Sequence, residues 1–463
     1  MTSQIIPGER IRKLNARPTA DSDYVLYWMQ QSQRAEENHA LEFAIEKANQ
    51  LGLPVRVCFG LTGTYPEANL RHYVFMVEGL RDVSETLKKR GIHFVVHHGV
   101  PAETALRLGK RAAIIVCDRG YLRHQREWRR QVSEEADCAV FQVESDLIVP
   151  VETVSGKQEY AARTFRPKVM ALAEQFLPPP PATDPVRRSD AMKIDSLDLN
   201  DKAVLFGPMS IDSGVKPVPL FTGGTQAAKQ VLADFIRYHL RGYADHRNQP
   251  QTDYVSHMSK YLHFGQISPA YIARRIYDST YGSEEDRNGY LDELIVRREL
   301  TFNFVYYNDA YDRFAALPDW SRRTLGDHGG DPRPYRYTRA GFERADTHDP
   351  YWNAAMDEMK QTGYMHNYMR MYWGKKILEW SDTPENAYRT ALYLNNKYFI
   401  DGRDPNSYAN IGWIFGLHDR PWKERDIYGK VRIMTAGGLE RKADPAAYVQ
   451  KVEGLKMQVR SLR

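Results

Sequence analysis

Two stretches in the second half of the sequence combine charged and oxidisable side chains at spacings that chemistry could use. One face of a helix predicted within Met365–Trp380 carries Met369, Trp373, Ile377 and Trp380. Arg370 lies off that face, and a polar, turn-rich segment, Asp401–Asn406, follows further along the chain. A helix that is apolar nearly all round is buried, and a buried Arg must find an anion. The spacing leaves open whether Arg370 and Asp401 form a purely structural pair or part of a binding site.

Conventional catalytic motifs are absent from the sequence. It contains no G-x-S-x-G elbow, no P-loop and no H-E-x-x-H zinc motif. Its 14 His include no convincing metal-ligand pair beside a carboxylate, and the doublet His97-His98 is predicted to lie at the surface. Only Cys58, Cys117 and Cys138 are present, without C-x-x-C spacing, which predicts a reduced cytoplasmic protein. Neither triad hydrolysis nor metal chemistry is expected.

The elements that must position these residues differ between the two halves of the chain. The first half alternates helical patterns with five β-rich runs, at Tyr24–Trp28, Val55–Phe59, His93–Val96, Ala113–Cys117 and Ala139–Val143. An apolar stripe from Tyr73 to Leu87 ends in basic residues and Gly91, as helices do. Such alternation predicts an α/β domain with a doubly wound parallel sheet. No G-x-G-x-x-G follows a strand, so the sheet does not indicate its own ligand.

The second half is predicted to be helical. A proline run, Pro178–Pro181, opens a connector, and Thr225 is predicted to cap the helix that follows it. Ser268-Pro269 and Thr383-Pro384 are two further helix starts. We therefore expect an α/β domain at residues 20–175, a linker at residues 176–224 and an all-helical domain at residues 225–463.

Composition restricts the class of protein. The 463 residues carry 64 Lys and Arg against 59 Asp and Glu, a net charge of +5 that permits a polyanionic partner without requiring one. No apolar run is long enough to span a membrane, and the N-terminus has no secretory signal pattern. Six of the eight Trp follow residue 319, which is typical of a large helical core.

Several motifs together resemble the class II cyclobutane pyrimidine dimer (CPD) DNA photolyases of the photolyase/cryptochrome superfamily. The motifs are Gln33–Asn38, Tyr261–Ser268, Met369–Trp373 and Asp401–Asn406, in the family's order and spacing. The resemblance implies a Rossmann-like N-terminal domain and a helical FAD-binding domain. It also implies light-driven repair, in which the reduced FAD anion donates an electron to a flipped-out dimer and the cyclobutane ring is split.

The resemblance also implies roles for particular residues. Those that match the family's FAD site are Tyr243, Val255, Ser256, His257, Met258, Ser259, Arg370, Asn395, Asp401, Gly402 and Arg403. Asn395 would face flavin N5, although on the sequence it could also be a helix C-cap near Lys397. Glu293 would donate a hydrogen bond to the dimer if burial kept it neutral, and Met371 and Trp413 would pack on the flipped bases.

An electron path and a DNA contact surface are implied as well. Trp373, Trp352 and Trp380 match the family's relay from the surface to the flavin, with core packing as the alternative. The residues that match DNA contacts are Arg247, Asn248, Arg420, Trp422, Lys430 and Arg432. Arg297 stands where some relatives have Trp. The expected partner is UV-damaged DNA that contains CPD lesions, and the expected oligomeric state is a monomer.

Two further classes of protein remain open at this point. A cryptochrome-like blue-light sensor would use the same flavin and Trp relay without repair, but the chain has no long polar tail and keeps Glu293, Met371 and Trp413. A dark nucleotide-binding or architectural DNA protein would not need Arg370, Asp401 and Asn395 together. A deazaflavin or folate antenna in the N-terminal domain is also compatible with the resemblance, and no motif chooses between the two.

Overall fold

The computed structural model describes residues 6–192 and 194–462. The fold class predicted from the sequence is confirmed: a mostly parallel sheet forms the N-terminal half, and helices form the C-terminal half. The strands are β1 (Ile11–Lys13), β2 (Tyr24–Trp28), β3 (Val55–Leu61), β4 (His93–His98), β5 (Ala112–Asp118) and β6 (Ala139–Val143). Their order across the sheet is β1-β6-β5-β2-β3-β4.

The sheet is covered on both faces, as a doubly wound fold requires. Alternate residues of β2 point in opposite directions: Val25 and Tyr27 belong to one buried cluster, and Leu26 and Trp28 belong to another. The crossover helices are α1 (His39–Leu51), α2 (Leu70–Lys89), α3 (Pro101–Gly109) and α4 (Arg123–Glu135). Helix α2 ends as predicted, with Gly91 just beyond it in the left-handed region at φ +70°.

One strand escaped sequence analysis. Strand β1 has only three residues and pairs antiparallel with β6 at the edge of the sheet. Arg12 and Lys13 are exposed, so β1 shows none of the apolar patterning that identified the buried strands.

The segment predicted as a linker packs along the sheet instead of crossing open solvent. The backbone N–H of Leu197 donates to the carbonyl of Val96 on β4 at 2.9 Å, and Ser189 Oγ donates to the carbonyl of Val55 at 2.6 Å. His97 and His98 are half-buried rather than fully exposed, because their rings contact the linker carbonyls of Asp195 and Leu205.

Helices are the main regular elements of the rest of the described chain. They are α5 (Val151–Val154), α6 (Ala162–Phe176), α7 (Lys202–Phe206), α8 (Thr225–Tyr238), α9 (Tyr243–His246), α10 (Ser259–His263), α11 (Pro269–Tyr277), α12 (Glu284–Leu291), α13 (Arg298–Tyr307), α14 (Asp319–Asp327), α15 (Arg339–Arg344), α16 (Pro350–Thr362), α17 (Asn367–Trp380), α18 (Pro384–Tyr398), α19 (Pro405–Ile414), α20 (Ala436–Glu440) and α21 (Pro445–Leu462). Short 3-10 turns occupy Gly8–Arg10 and Phe314–Ala316. No helix among the described residues is both long and apolar enough to cross a bilayer.

The predicted helix starts are confirmed at two of three places. Ser268 and Thr383 each accept a hydrogen bond from a backbone N–H of the first turn, at the starts of α11 and α18. The prediction that Thr225 caps α8 is wrong, because the helix begins at Thr225 and Gly224 is the capping residue. Gly224 has φ +118°, a conformation that a Thr would adopt only with strain.

Candidate active site

A cavity of about 280 Å³ lies in the helical half of the chain. Its walls come from the segment before α10, from the end of α12, and from α17, α18 and α19. The structure brings most of the predicted site residues to this one cavity. Those that line it are Tyr243, Val255, Ser256, His257, Met258, Ser259, Arg247, Glu293, Arg370, Met371, Trp373, Asn395, Asp401 and Trp413.

Arg370 has the anion that its burial requires. Its Nη2 donates to both carboxylate oxygens of Asp401, at 3.1 and 3.2 Å, and its Nε donates to the carbonyl of Met365 at 3.0 Å. The guanidinium also lies 3.8 Å from the centroid of the Phe399 ring, a cation–π contact. With only 22% and 11% of their side chains exposed, Arg370 and Asp401 form a fixed charge pair in the cavity wall.

The segment Val255–Ser259 forms a tight polar turn before α10. His257 has φ +54°, an unusual value for a residue with a Cβ and one that costs about 1 kcal/mol or more. Ser256 Oγ accepts a hydrogen bond from Tyr290 Oη at 3.0 Å. His257 Nδ1 is buried and has no partner among the described residues. The turn thus holds hydroxyls, backbone amides and an unpaired ring nitrogen around the cavity.

Asn395 lies inside α18, which ends at Tyr398 with Phe399 as its C-cap. The alternative prediction of a C-cap at Asn395 is therefore wrong. The side chain is 5% exposed, lines the cavity, and donates through Nδ2 to Asn396 Oδ1 at 3.1 Å. An amide held in this way presents its oxygen or nitrogen from a rigid element.

Two of the predicted cofactor contacts do not line the cavity. Gly402 packs behind it, where an added Cβ would come within 2.9 Å of the backbone of Asn395 and Asn396. Arg403, at φ +63°, turns toward the N-terminal half, where its guanidinium donates to the carbonyl of Asn396 at 3.2 Å and lines a different cavity. Asp401 thus faces the cavity, whereas Arg403, two residues later, faces away from it.

Glu293 projects from a π-helical segment, Asp292–Arg297, between α12 and α13. Such segments interrupt the normal helical repeat and are frequent at functional sites. Glu293 accepts a hydrogen bond from Arg247 Nη1 at 2.9 Å, and 37% of its side chain is exposed. It is therefore paired and partly open in this structure, rather than buried.

A larger groove of about 980 Å³ adjoins the cavity. The two share part of their lining: Arg247, Glu293, Arg298, Asn367, Met371, Asn406, Asn410 and Trp413. Arg247, Asn248 and Arg432 line this groove, as expected of residues at the mouth of the site. A molecule in the groove would thus contact the same side chains as a molecule in the cavity.

Three other predicted DNA contacts lie outside the lining of the groove. Trp422, 40% exposed, has Arg432 and Arg420 near its ring, with guanidinium carbons 5.0 and 5.2 Å from the centroid. Lys430 is tied to this cluster through its backbone, because its carbonyl accepts from the Trp422 N–H at 2.8 Å. These residues form an exposed cationic and aromatic surface.

The three Trp of the predicted relay are buried and adjacent. Trp373 lines the cavity, and its carbonyl accepts a hydrogen bond from Trp352 Nε1 at 2.9 Å. The Trp352 and Trp380 ring centroids are 6.1 Å apart. Sequence analysis did not include Tyr337, whose ring lies 5.7 Å from Trp380, nor His348, which lies 4.8 Å from it and stacks on Tyr335. Tyr335 is 45% exposed, so a chain of ring contacts leads from Trp352 to the surface.

Helix α19 contributes amides that sequence analysis missed. Asn406 and Asn410 line both the cavity and the groove beside Trp413. Asn406, Asn410 and Trp413 are spaced i, i+4 and i+7, which places the three side chains on one face of the helix. A polar stripe on an otherwise apolar helix was the signal that would have identified them. Among the described residues, no group of three or more His, Cys, Asp or Glu is placed to hold a metal ion.

Comparisons with the sequences and solved structures of known proteins give consistent results. The family model "DNA photolyase" matches residues 25–186. The chain is 49% identical to the deoxyribodipyrimidine photo-lyase of Methanothermobacter thermautotrophicus, over 97% of this chain and 99% of that protein. It is 36% identical to the one from Potorous tridactylus, over 93% and 81%. The structure resembles a Sulfolobus tokodaii photolyase solved with two FAD molecules, with a TM-score of 0.70, 18% identity and coverage of 93% and 89%.

Proposed function

Because this chain belongs to the DNA photolyase family and is an enzyme of light-dependent DNA repair, we propose that its lesion is the cyclobutane pyrimidine dimer and that it repairs in the manner of the class II enzymes. Its cofactor is FAD, as the family implies. Relatives named photo-lyase, at 36–49% identity over most of the chain, favour repair over a role as a light sensor.

We propose that FAD lies in the 280 Å³ cavity, with the turn Val255–Ser259 around its phosphates and ribose. The fit rests on the unpaired His257 Nδ1 and on the hydroxyls of Ser256 and Ser259. When bound and fully reduced, FAD supplies an electron on excitation by light. The Arg370–Asp401 pair orients the cofactor and fixes the charge beside it, while Asn395 presents an amide to the ring.

We propose that the flipped dimer enters through the groove and lies against Glu293, Met371 and Trp413. These residues belong to both linings, so they would touch the lesion on the side that faces the cofactor. Arg247 then has a positioning role, because it holds the Glu293 carboxylate at 2.9 Å. A dimer that covers this pair would take it out of water and strengthen its hydrogen bonds.

The remaining proposals concern DNA contacts, electron transfer, oligomeric state and cellular compartment. Arg420, Trp422, Lys430 and Arg432 are proposed to contact DNA around the lesion, with phosphate contacts supplying much of the affinity. Trp373, Trp352 and Trp380 are proposed to carry electrons inward to oxidised FAD, with Tyr337 continuing the path outward. We propose that the protein acts as a monomer. Three unpaired cysteines support a reducing compartment, the cytoplasm.

We propose that an antenna chromophore binds at the carboxyl ends of β2 and β3. A second cavity there is lined by residues that follow these strands, including Gln30, Gln33 and Tyr65, and by Trp128 of α4. The site lies next to the point where the strand order reverses, between β2 and β5, where open α/β sheets bind ligands. Both a deazaflavin and a folate remain candidates. Residues 20–175 would then be the antenna domain, and residues 225–463 the catalytic domain beyond the linker at 176–224.

The shared lining of the cavity and the groove is the observation that carries this proposal, because electron donation needs donor and lesion in close contact. The test is illumination of the reduced, FAD-loaded protein with two matched oligonucleotides, one with a thymine cyclobutane dimer and one with a (6-4) photoproduct. We expect light-dependent restoration of thymines in the first only. Repair of the second alone, or of neither, would contradict the proposed lesion.

A further inference from the structure

A third cavity, of about 230 Å³, lies between α4 and the β1 edge of the sheet. Five arginines line it: Arg12, Arg119, Arg126, Arg129 and Arg130. None of the described residues in its lining is Asp or Glu. Like charges gathered around one space repel each other, so such an arrangement favours an anion between them. The cofactor and lesion sites share none of these arginines.

Three of the five arginines have carboxylate partners outside the lining. Arg119 donates to both oxygens of Glu152, at 2.6 and 2.8 Å. Arg126 pairs with Asp309 at 3.3 Å, and Arg130 pairs with two glutamates of its own helix. The pairs of Arg126 and Arg130 are exposed, so water weakens them and both side chains are free to turn toward a ligand.

Arg129 is the most unusual member of the set. It is 7% exposed, and within residues 6–192 and 194–462 no carboxylate pairs with it. Its Nε and Nη1 donate to the amide oxygens of Gln142 and Gln30, at 3.0 and 2.9 Å, and Nη2 has no acceptor among these residues. Neutral amides satisfy hydrogen bonds without balancing the buried charge. Burial lowers the pKa of Arg129 to about 10.

The positions of the side chains suit a tetrahedral oxyanion. Arg126, Arg129 and Arg130 are spaced i, i+3 and i+4, so they share one face of α4. Arg12 faces them from β1, and it too has no carboxylate partner in the described chain. Guanidinium groups converging from two elements are the usual means of binding phosphate, since each donates two hydrogen bonds in a fixed geometry.

We propose that this cavity binds a small polyphosphate anion, either free pyrophosphate or the phosphate chain of a nucleotide. The site is separate from FAD and from the lesion, so its occupancy does not depend on the proposed repair chemistry. Bound anion would lock β1 and α4 together and stabilise the N-terminal domain by mass action.

The experiment is calorimetric titration of the FAD-loaded protein with pyrophosphate, with ATP and with adenosine, at constant ionic strength. We expect pyrophosphate and ATP to bind and adenosine not to bind. Arg12→Gln and Arg126→Gln should each weaken binding about tenfold, as the loss of a charge-assisted hydrogen bond implies. The matched control Arg237→Gln, on the exposed surface of α8, should bind like the parent. Stronger binding of ATP than of pyrophosphate would identify a nucleotide as the source of the phosphate chain, and equal binding would identify the phosphate chain alone.

Three results would overturn the proposal: no heat with pyrophosphate or ATP, unchanged affinity in Arg12→Gln, or weakening by Arg432→Gln, which would place the anion in the DNA groove instead. FAD content and light-dependent repair should stay at the parent's level in Arg12→Gln. These two readouts separate a failure of this site from a failure of the repair function.

Discussion

The indole N–H of Trp352 donates to the backbone carbonyl of Trp373 at 2.9 Å, which fixes the Trp352 ring against the helix that carries Trp373. Trp373 lines the cofactor cavity and Trp352 does not. In the proposed relay, this order makes Trp373 the member nearest the flavin and Trp352 the next along the path. Ring spacings near 6 Å toward Trp380 and Tyr337 extend the path toward solvent.

The relay predicts that Trp373→Phe slows photoreduction of oxidised FAD while repair by chemically pre-reduced protein is spared. Phe keeps most of the packing but is far harder to oxidise than an indole. The measurement is FAD absorbance under continuous light with an external reductant. Trp28→Phe, a buried change in the sheet, is the matched control and should photoreduce normally. Equal rates in Trp373→Phe and the parent would remove Trp373 from the path.

The ion pair in the cavity wall predicts that Asp401→Asn weakens FAD binding about tenfold and lowers the free energy of unfolding by about 2 kcal/mol. The substitution leaves the Arg370 guanidinium half-buried without its counter-charge, and partial exposure keeps the cost below that of a fully buried pair. FAD affinity and denaturant unfolding measure the two effects. Asp23→Asn breaks an exposed pair with Arg111 and should leave both FAD affinity and stability nearly unchanged. Wild-type FAD affinity in Asp401→Asn would contradict the assignment.

Lys375 predicts a specific dependence of stability on pH. It is 1% exposed and its Nζ donates to the carbonyl of Ile414, and burial lowers its pKa to about 7. A lysine in the unfolded chain titrates near 10.4, so between about pH 7 and 10 the unfolded chain binds a proton that the folded protein lacks. Lys375 therefore makes the free energy of unfolding rise with pH across this window, by up to about 1 kcal/mol per pH unit, and contributes no change below it.

Denaturant unfolding of the parent and of Lys375→Met at pH 7 and pH 9 measures this dependence. The variant should show a smaller rise than the parent, because Met carries no proton while Lys260, whose pKa burial also lowers to about 7, keeps its own contribution. Lys89→Met, an exposed change at the end of α2, should keep the parent's rise. The same slope in Lys375→Met as in the parent would show that Lys375 remains charged in the folded protein.

The surface around Trp422 predicts that two substitutions impair DNA binding in different ways. Arg420 is exposed, and Arg420→Gln should weaken binding equally for damaged and undamaged duplexes while reducing the salt slope by about one. Arg432 lines the lesion groove, so Arg432→Ala should weaken binding to the dimer-containing duplex more than to the intact one. Binding isotherms at several salt concentrations distinguish the two. Identical discrimination in both variants would contradict the separate roles.

Much of the fold follows from local pattern, because buried strands and helix caps leave strong signals. The five buried strands and the caps at Ser268 and Thr383 depend on residues close in sequence. Strand β1 could not be found in this way, since it is short, exposed and defined by its pairing with β6. The π-helical segment at Glu293 was equally invisible, because a shift in backbone hydrogen bonding does not alter residue types.

The candidate site, like the fold, could be predicted from the sequence only in part. The need of a buried Arg for an anion predicted a pairing that the structure places at Arg370 and Asp401. The positions of Gly402 and Arg403 depend on a backbone turn at φ +63°, which side-chain chemistry does not encode. The pairing of Glu293 with Arg247 needed the three-dimensional approach of two distant segments. Motif resemblance supplied the residue types of the site, and tertiary structure decided which of them face the cavity.

The closeness of the cofactor cavity to the lesion groove is tested most directly by the fluorescence lifetime of reduced FAD in the purified protein. Titration with a dimer-containing oligonucleotide should shorten this lifetime, because electron transfer to the lesion competes with emission, whereas an undamaged oligonucleotide of the same sequence should leave it unchanged. An equal lifetime with the two oligonucleotides, at concentrations where both are bound, would contradict electron transfer between cavity and groove.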